Sequence, residues 1–287
     1  IKYKIDIFFT CPAQQPDAGD RLDATPEMAT GCTCLALSSG DMIGSAATIE
    51  LPSMKVTPNI LPGAVSNDAV VRVTGGKVFI VNRFGANNVT VVNPIGWTVE
   101  QQFSTGEGTN PQDVAVNGTT AYVVLYDEPT VQVWNLTTAS AAWAAPMATI
   151  DLSSFDDDGN PNAASIAIVG ERAFVTLGML DDTQQYLPPK GPGKVVVIDL
   201  ATNTAGQTLS LVDENPFGLV KLDGEDLLVA TVADFSGQKG CLERVGAGAA
   251  PAAQGCVVTA TAAGGRSGAV TPFLYDEARL LAAIALS

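Results

Sequence analysis

The sequence contains no histidine, carries half as many basic as acidic residues, and has no long apolar run. Without histidine there is no Ser-His-Asp or Cys-His nucleophile, no His-ligated zinc or haem, and no imidazole base near neutral pH. Lys and Arg number 15 against 30 Asp and Glu, a formal charge of −15 that repels phosphate backbones and anionic headgroups. Nucleic acid is therefore not an expected partner. No stretch approaches the ~18–20 apolar residues that cross a bilayer, so no membrane span is expected.

What is present is material for a large core. The chain of 287 residues is long enough for one large all-β or α/β domain or two ordinary ones. Its start, IKYKIDIFFTC, lacks Met and places Asp6 within the apolar run. That is neither an intact signal peptide nor a lipobox before Cys11, and it reads as a processed or trimmed chain.

Five cysteines are present, Cys11, Cys32, Cys34, Cys241 and Cys256. Cys241 and Cys256 bracket CLERVGAGAAPAAQGC, a Gly/Ala/Pro-rich segment with little to hold it except a cross-link, and a disulfide is expected between them. Cys11 can pair with either Cys32 or Cys34, leaving one thiol over. The competing reading is buried reduced thiols. Disulfides would place the protein outside the cytosol.

Self-comparison shows a repeat. DAVVRVTGGKVFIVN from Asp68, PQDVAVNGTTAYVVL from Pro111, AASIAIVGERAFVTL from Ala163, PFGLVKLDGEDLLVA from Pro216 and GAVTPFLYDEARLLA from Gly268 are each two apolar runs around a short polar turn. This pattern predicts hairpins. Further strands follow in NVTVVNP, TVQVWNL and KVVVIDL, and fainter fourth strands in WTVEQQFS, PMATIDLS and TAGQTLSL. Four antiparallel strands recurring every few tens of residues predict an all-β β-propeller.

The order Asn-Pro, apolar hairpin, then V-x-V-[VIW]-[ND]-[LPT], as in TNPQDVAVNGTTAYVVLYDEPTVQVWNL, resembles the YVTN-type β-propeller repeat of bacterial and archaeal surface and periplasmic proteins. The resemblance covers roughly residues 67 to 287 and implies a fold, not an activity. Five blades are visible, four of them four-stranded and the fifth as a hairpin alone. CTCLALSS from Cys32 and AATIELPS from Ala46 are expected to complete it, closing a five-bladed propeller with N-terminal strands. The rival is six to eight blades in a longer native chain. Residues 1–31 read as an N-terminal strand and irregular arm, and 32–287 as the propeller. The strand Ile1 to Phe9 alternates with Lys2, Lys4 and Asp6, and needs a sheet to join, in the propeller rim or in a partner.

Loops leaving the second strand of each blade, and loops joining blades, emerge on one face, the expected site. On it Asp156, Asp158 and Asn160 alternate around Gly159 as oxygen ligands for Ca²⁺ would. A solvated acidic turn fits the same residues. Carboxylates at Asp127, Asp181, Asp182 and Asp213 line the face, with Arg83 and Arg266 as cations able to clamp an anion or form rim ion pairs. Trp97, Trp134 and Trp143 are read as packed core ahead of carbohydrate platforms. The function expected is a non-catalytic, extracytoplasmic protein-binding or scaffold module of a cell-envelope or extracellular assembly, with no cofactor unless calcium. The alternative is a propeller lactonase-like hydrolase, with or without Ca²⁺.

Overall fold

The computed structural model describes residues 4–10, 33–39, 43–137, 143–221, 226–233, 239–260, 262, 270–276 and 279–284. Two compact units divide the chain, Ile1–Ser104 and Thr105–Ser287.

The first unit holds two four-stranded antiparallel sheets, β1(Lys4–Thr10)–β2(Thr33–Ser39)–β3(Gly44–Glu50)–β4(Lys55–Ile60) and β5(Ala69–Thr74)–β6(Lys77–Asn82)–β7(Asn88–Asn93)–β8(Thr98–Ser104). Leu35 and Leu37 of β2 and Ala46 of β3 pack against Val71, Val78, Ile80 and Val92 of the second sheet. Here a sequence expectation is corrected. The segments from Cys32 and Ala46 do not complete the C-terminal hairpin; they are the middle strands of a sheet of their own, with Lys4–Thr10 aligned along Thr33–Ser39. Each already has partners close in the chain, and pairing neighbours costs less loop-closure entropy than closing over the full length. The N-terminal strand finds the sheet it needs within the chain, as the edge strand beside Thr33–Ser39.

The second unit contains three more such sheets: β9(Pro111–Asn117) to β12(Ala148–Asp151), β13(Ala163–Val169) to β16(Thr204–Glu214), and β17(Pro216–Lys221) to β20(Ala252–Thr259). A hairpin, β21(Val270–Asp276)–β22(Arg279–Ile284), follows. Within this unit β13 lies beside both β9 and β17. Val124, Val131 and Val133 of the first of these sheets interleave with Ile166, Val175 and Ile198 of the next. Phe174, Val195 and Val197 then face Leu227, Val229 and Val245 of the third. The middle strands of each sheet are buried on both faces and so read as near-continuous apolar runs, while the outer strands β12, β16 and β20 are largely exposed.

All five hairpins recognised in the sequence lie in separate sheets. The turn between β5 and β6 is Gly75–Gly76 at φ 58° and 71°, the two left-handed residues that a tight hairpin matching strand twist requires. The cysteine-bounded segment is corrected too. It is not an unsupported loop but a hairpin, β19(Cys241–Gly246) against β20, the outer half of its sheet. Cys241 and Cys256 are joined by a disulfide across these strands, with Cα atoms 5.8 Å apart. Cys34 is buried and unbonded. Trp134 and Trp143 are buried and Trp97 packs on the first unit's core.

Candidate functional site

In the second unit an asparagine at φ near +50° precedes the first strand of each four-stranded sheet: Asn110 (51°), Asn162 (51°) and Asn215 (50°). Asparagine tolerates this left-handed backbone better than most residues. Each presents its carbonyl to the end of the hairpin it opens, accepting from Tyr126 N (3.1 Å), Gly178 N (3.1 Å) and Val232 N (3.0 Å). Side chains then tie the first strands of neighbouring sheets together. Asp113 Oδ2 accepts from Ile166 N (3.0 Å), and Ser165 Oγ donates to Phe217 O (3.0 Å).

From this frame rise three loops that meet. Asn162 Oδ1 accepts from Leu180 N (3.0 Å) while its Nδ2 donates to Asp182 Oδ1 (2.8 Å). Asn160 Nδ2 bridges Asp182 Oδ2 (2.7 Å) and the Tyr126 carbonyl (3.2 Å). Beneath them Tyr126, Ala164 and Leu180 form an apolar pad that also receives Leu187 and Phe217. Burial, with Asp182 and Asp127 nearby, pushes the Tyr126 phenol far up, so it stays neutral. Desolvation and the charges of Asp182 and Glu128 raise Asp127, against a hydrogen bond from Asn110.

The long loop after Leu177 folds back on itself. Asp181 N donates to Pro188 O (2.9 Å) and Lys190 N to Met179 O (2.9 Å). At its tip Asp181 accepts from Thr183 and Gln184, which holds its carboxyl below the usual range. Tyr186 and Leu187 both take positive φ, 72° and 46°. Leu187 turns into the pad, and Tyr186 turns outward, 86% exposed.

The returning strand brings Lys190 into the acidic turn. Its ammonium lies 2.5 Å from Asp156 Oδ1, 2.8 Å from Asp157 Oδ1 and 2.7 Å from Asp158 Oδ2. Burial opposes this charge, yet the three carboxylates hold the Lys190 pKa well above its ordinary value. Lys190 in turn holds Asp157 low, and holds Asp158 low despite desolvation. Burial pushes Asp156 up, and its Oδ2 has no hydrogen-bond partner. Phe155, Met179, Pro192 and Lys194 complete a small cleft of about 310 Å³ beside the cluster.

Of the residues singled out from sequence, Asp127, Asp156, Asp158, Asn160, Asp181 and Asp182 are thus drawn to one region. Of the proposed ligand triad, the Asp156 and Asp158 carboxylates converge with Asp157 around Lys190, while the Asn160 amide nitrogen engages Tyr126 and Asp182. Asp213 lies elsewhere, its Oδ1 accepting from Glu214 N (2.8 Å). Arg83 belongs to the first unit and is paired with Asp68 at 2.5 Å, the rim-ion-pair alternative. Arg266 lies outside the described residues. Sequence reasoning missed Lys190, Asn162 and Tyr186. The signal for Lys190 was three adjacent aspartates, whose mutual repulsion calls for a cation.

No family model matches the chain, and no curated protein matches it. Among solved structures it is similar to Kuenenia stuttgartiensis hydrazine synthase, with a TM-score of 0.55 and 16% identity, over 78% of this chain and 62% of that one. It is also similar to the Myceliophteria thermophila Cps50 (Swd1) beta-propeller domain, with a TM-score of 0.53 and 12% identity, over 74% of this chain and 61% of that one. The fold is a β-propeller. Its four-stranded sheets are blades, and the region around Tyr186 joins loops of adjacent blades. A third similar structure, U3-55K, has a TM-score of 0.50 and 13% identity, over 72% of this chain and 57% of that one. The chain spans less than two thirds of each of these chains, and likeness at this identity carries the fold alone.

Proposed function

We propose that this propeller is a non-catalytic binding module of an extracytoplasmic assembly, at the cell envelope or outside the cell, and a member of the YVTN-like group. The observation that carries the reading is Tyr186. A bulky side chain at positive φ is strained, and here the strain serves to hold an aromatic ring in solvent on a loop fixed at both ends. Tyrosine so placed is the residue type that dominates protein interfaces. Asp181 and Asp182 lie in its own loop, and Asp127 stands close enough to Asp182 and Glu128 to feel their charges, which makes this an acidic rim. The partner is therefore a protein with a basic surface surrounding an aromatic-accepting pocket.

Extracytoplasmic placement is supported by the Cys241–Cys256 disulfide. No helix among the described residues is long and apolar enough to cross a membrane. The hydrolase reading is kept for one reason: Asp156, with its pKa raised by burial, lines the cleft. The test uses two variants of the full chain, Tyr186→Ala and Asp156→Ala, assayed for retention of co-purified partner and for aryl-ester and lactone turnover. A binding module loses its partner with Tyr186→Ala and shows no turnover. Turnover abolished by Asp156→Ala, with partner retention untouched by either change, would overturn it.

A further inference from the structure

We propose that reduction of the Cys241–Cys256 disulfide opens a site for a thiol-seeking divalent cation, zinc above all, formed by Cys241, Cys256 and Glu243. The two sulfur atoms and a Glu243 carboxylate oxygen lie within 4.8 Å of one another. Glu243 is fully buried, at 0% exposure, and Cys241 nearly so, at 3%. Glu243 Oε2 accepts from Val212 N at 2.8 Å, while Oε1 is buried without any hydrogen-bond partner. Burial pushes its carboxyl up, against the backbone N–H groups of Val212 and Asp213 that favour its charged form. A buried carboxylate with one satisfied and one idle oxygen is oriented by the first and available to a ligand through the second.

The ligands do not depend on the S–S bond for their positions. Glu243 sits directly opposite Cys256 in the β19–β20 ladder, and Cys241 pairs with Thr259 in the same ladder. Breaking the bond leaves those backbone hydrogen bonds in place. Zinc bonds sulfur at about 2.3 Å and carboxylate oxygen at about 2.0–2.2 Å, so its ligands stand roughly 3.5–3.8 Å apart, within reach of small side-chain movements. Two thiolates and one carboxylate favour zinc over calcium or magnesium. Water would take the fourth position.

The reaction balances with a dithiol as reductant. Two electrons and two protons pass to the disulfide, its S–S bond breaks, two S–H bonds form, and the reductant closes to its own disulfide. Zinc then displaces both thiol protons. Metal and disulfide exclude each other, so bound zinc keeps the pair reduced.

The test takes the full chain, disulfide-bonded or reduced with dithiothreitol and desalted without oxygen. Zinc is titrated in against a chromogenic chelator, and cadmium is followed by thiolate-to-metal charge-transfer absorbance. The reduced protein should bind one equivalent more than the oxidised protein and one more than the reduced Cys241→Ser/Cys256→Ser variant. Glu243→Gln should weaken binding roughly tenfold or more while the sheet signal in circular dichroism is kept. The proposal fails if the reduced protein binds no more metal than the double variant, if Glu243→Gln binds as tightly as the native chain, or if reduction alone melts the sheet.

Discussion

Three consecutive carboxylates can stand side by side at Asp156 to Asp158 because one ammonium faces all of them. Replacing Lys190 with Ala should therefore lower stability by about 1–2 kcal/mol at neutral pH, between the value of a surface pair and that of a buried one, since Asp156 is buried and Lys190 partly exposed. Asp157 and Asp158 have lowered pKa values, so their contribution is present above the ordinary carboxylate range and is lost as pH falls. Lys190 is raised, so its contribution is complete below its ordinary value of 10.5 and is lost as pH rises beyond it. Urea unfolding of both proteins at several pH values checks this: a penalty as large at pH ~3 as at pH ~7 would contradict the account. Added calcium should restore stability to Lys190→Ala more than it raises that of the native chain, because only the variant leaves the carboxylates without their cation. At Tyr186 the backbone gives a second test. Glycine at φ 72° is unstrained and alanine is not, so Tyr186→Gly should melt at least as high as Tyr186→Ala, reversing the usual order, while both lose the partner.

At the scale of strands, β1 lies along the whole of β2, so removing residues 1–10 leaves β2 as an unpaired edge. The truncated chain should show a lower thermal midpoint and new binding of a hydrophobic dye, whereas an unchanged melt would mean that the strand is dispensable. The hairpins were legible because alternation and turn chemistry act locally: Gly75–Gly76 sits between two apolar runs and can do little else. The pairing of β1 with β2 was not, since more than twenty residues separate them and nothing in IDIFF names its neighbour. The β19–β20 hairpin was hidden by Gly, Ala and Pro, which bury little surface of their own. Here the ladder, the disulfide and a few apolar side chains such as Leu242 and Val245 supply what composition does not advertise. The acidic turn was legible as a cluster but not as an ion-pair site, because Lys190 lies 32 to 34 residues further along the chain than its partners.

For the molecule as a whole, a charge of −15 would make association with the proposed basic partner sensitive to salt. Raising ionic strength from about 0.05 M to about 0.5 M should weaken binding mainly by slowing association, as surface plasmon resonance would show, because steering acts over a screening length that shrinks with salt. A rate independent of salt would argue for an apolar interface and against the acidic rim. The sheets have a further property: each four-stranded sheet is made of four successive strands, taken in chain order from one edge to the other. A polypeptide emerging from the ribosome or from an export channel can therefore finish one blade before the next has appeared. Among the described four-stranded sheets no strand waits unpaired for a partner made much later, so the interval in which a bare edge of these sheets could capture a neighbouring chain is short.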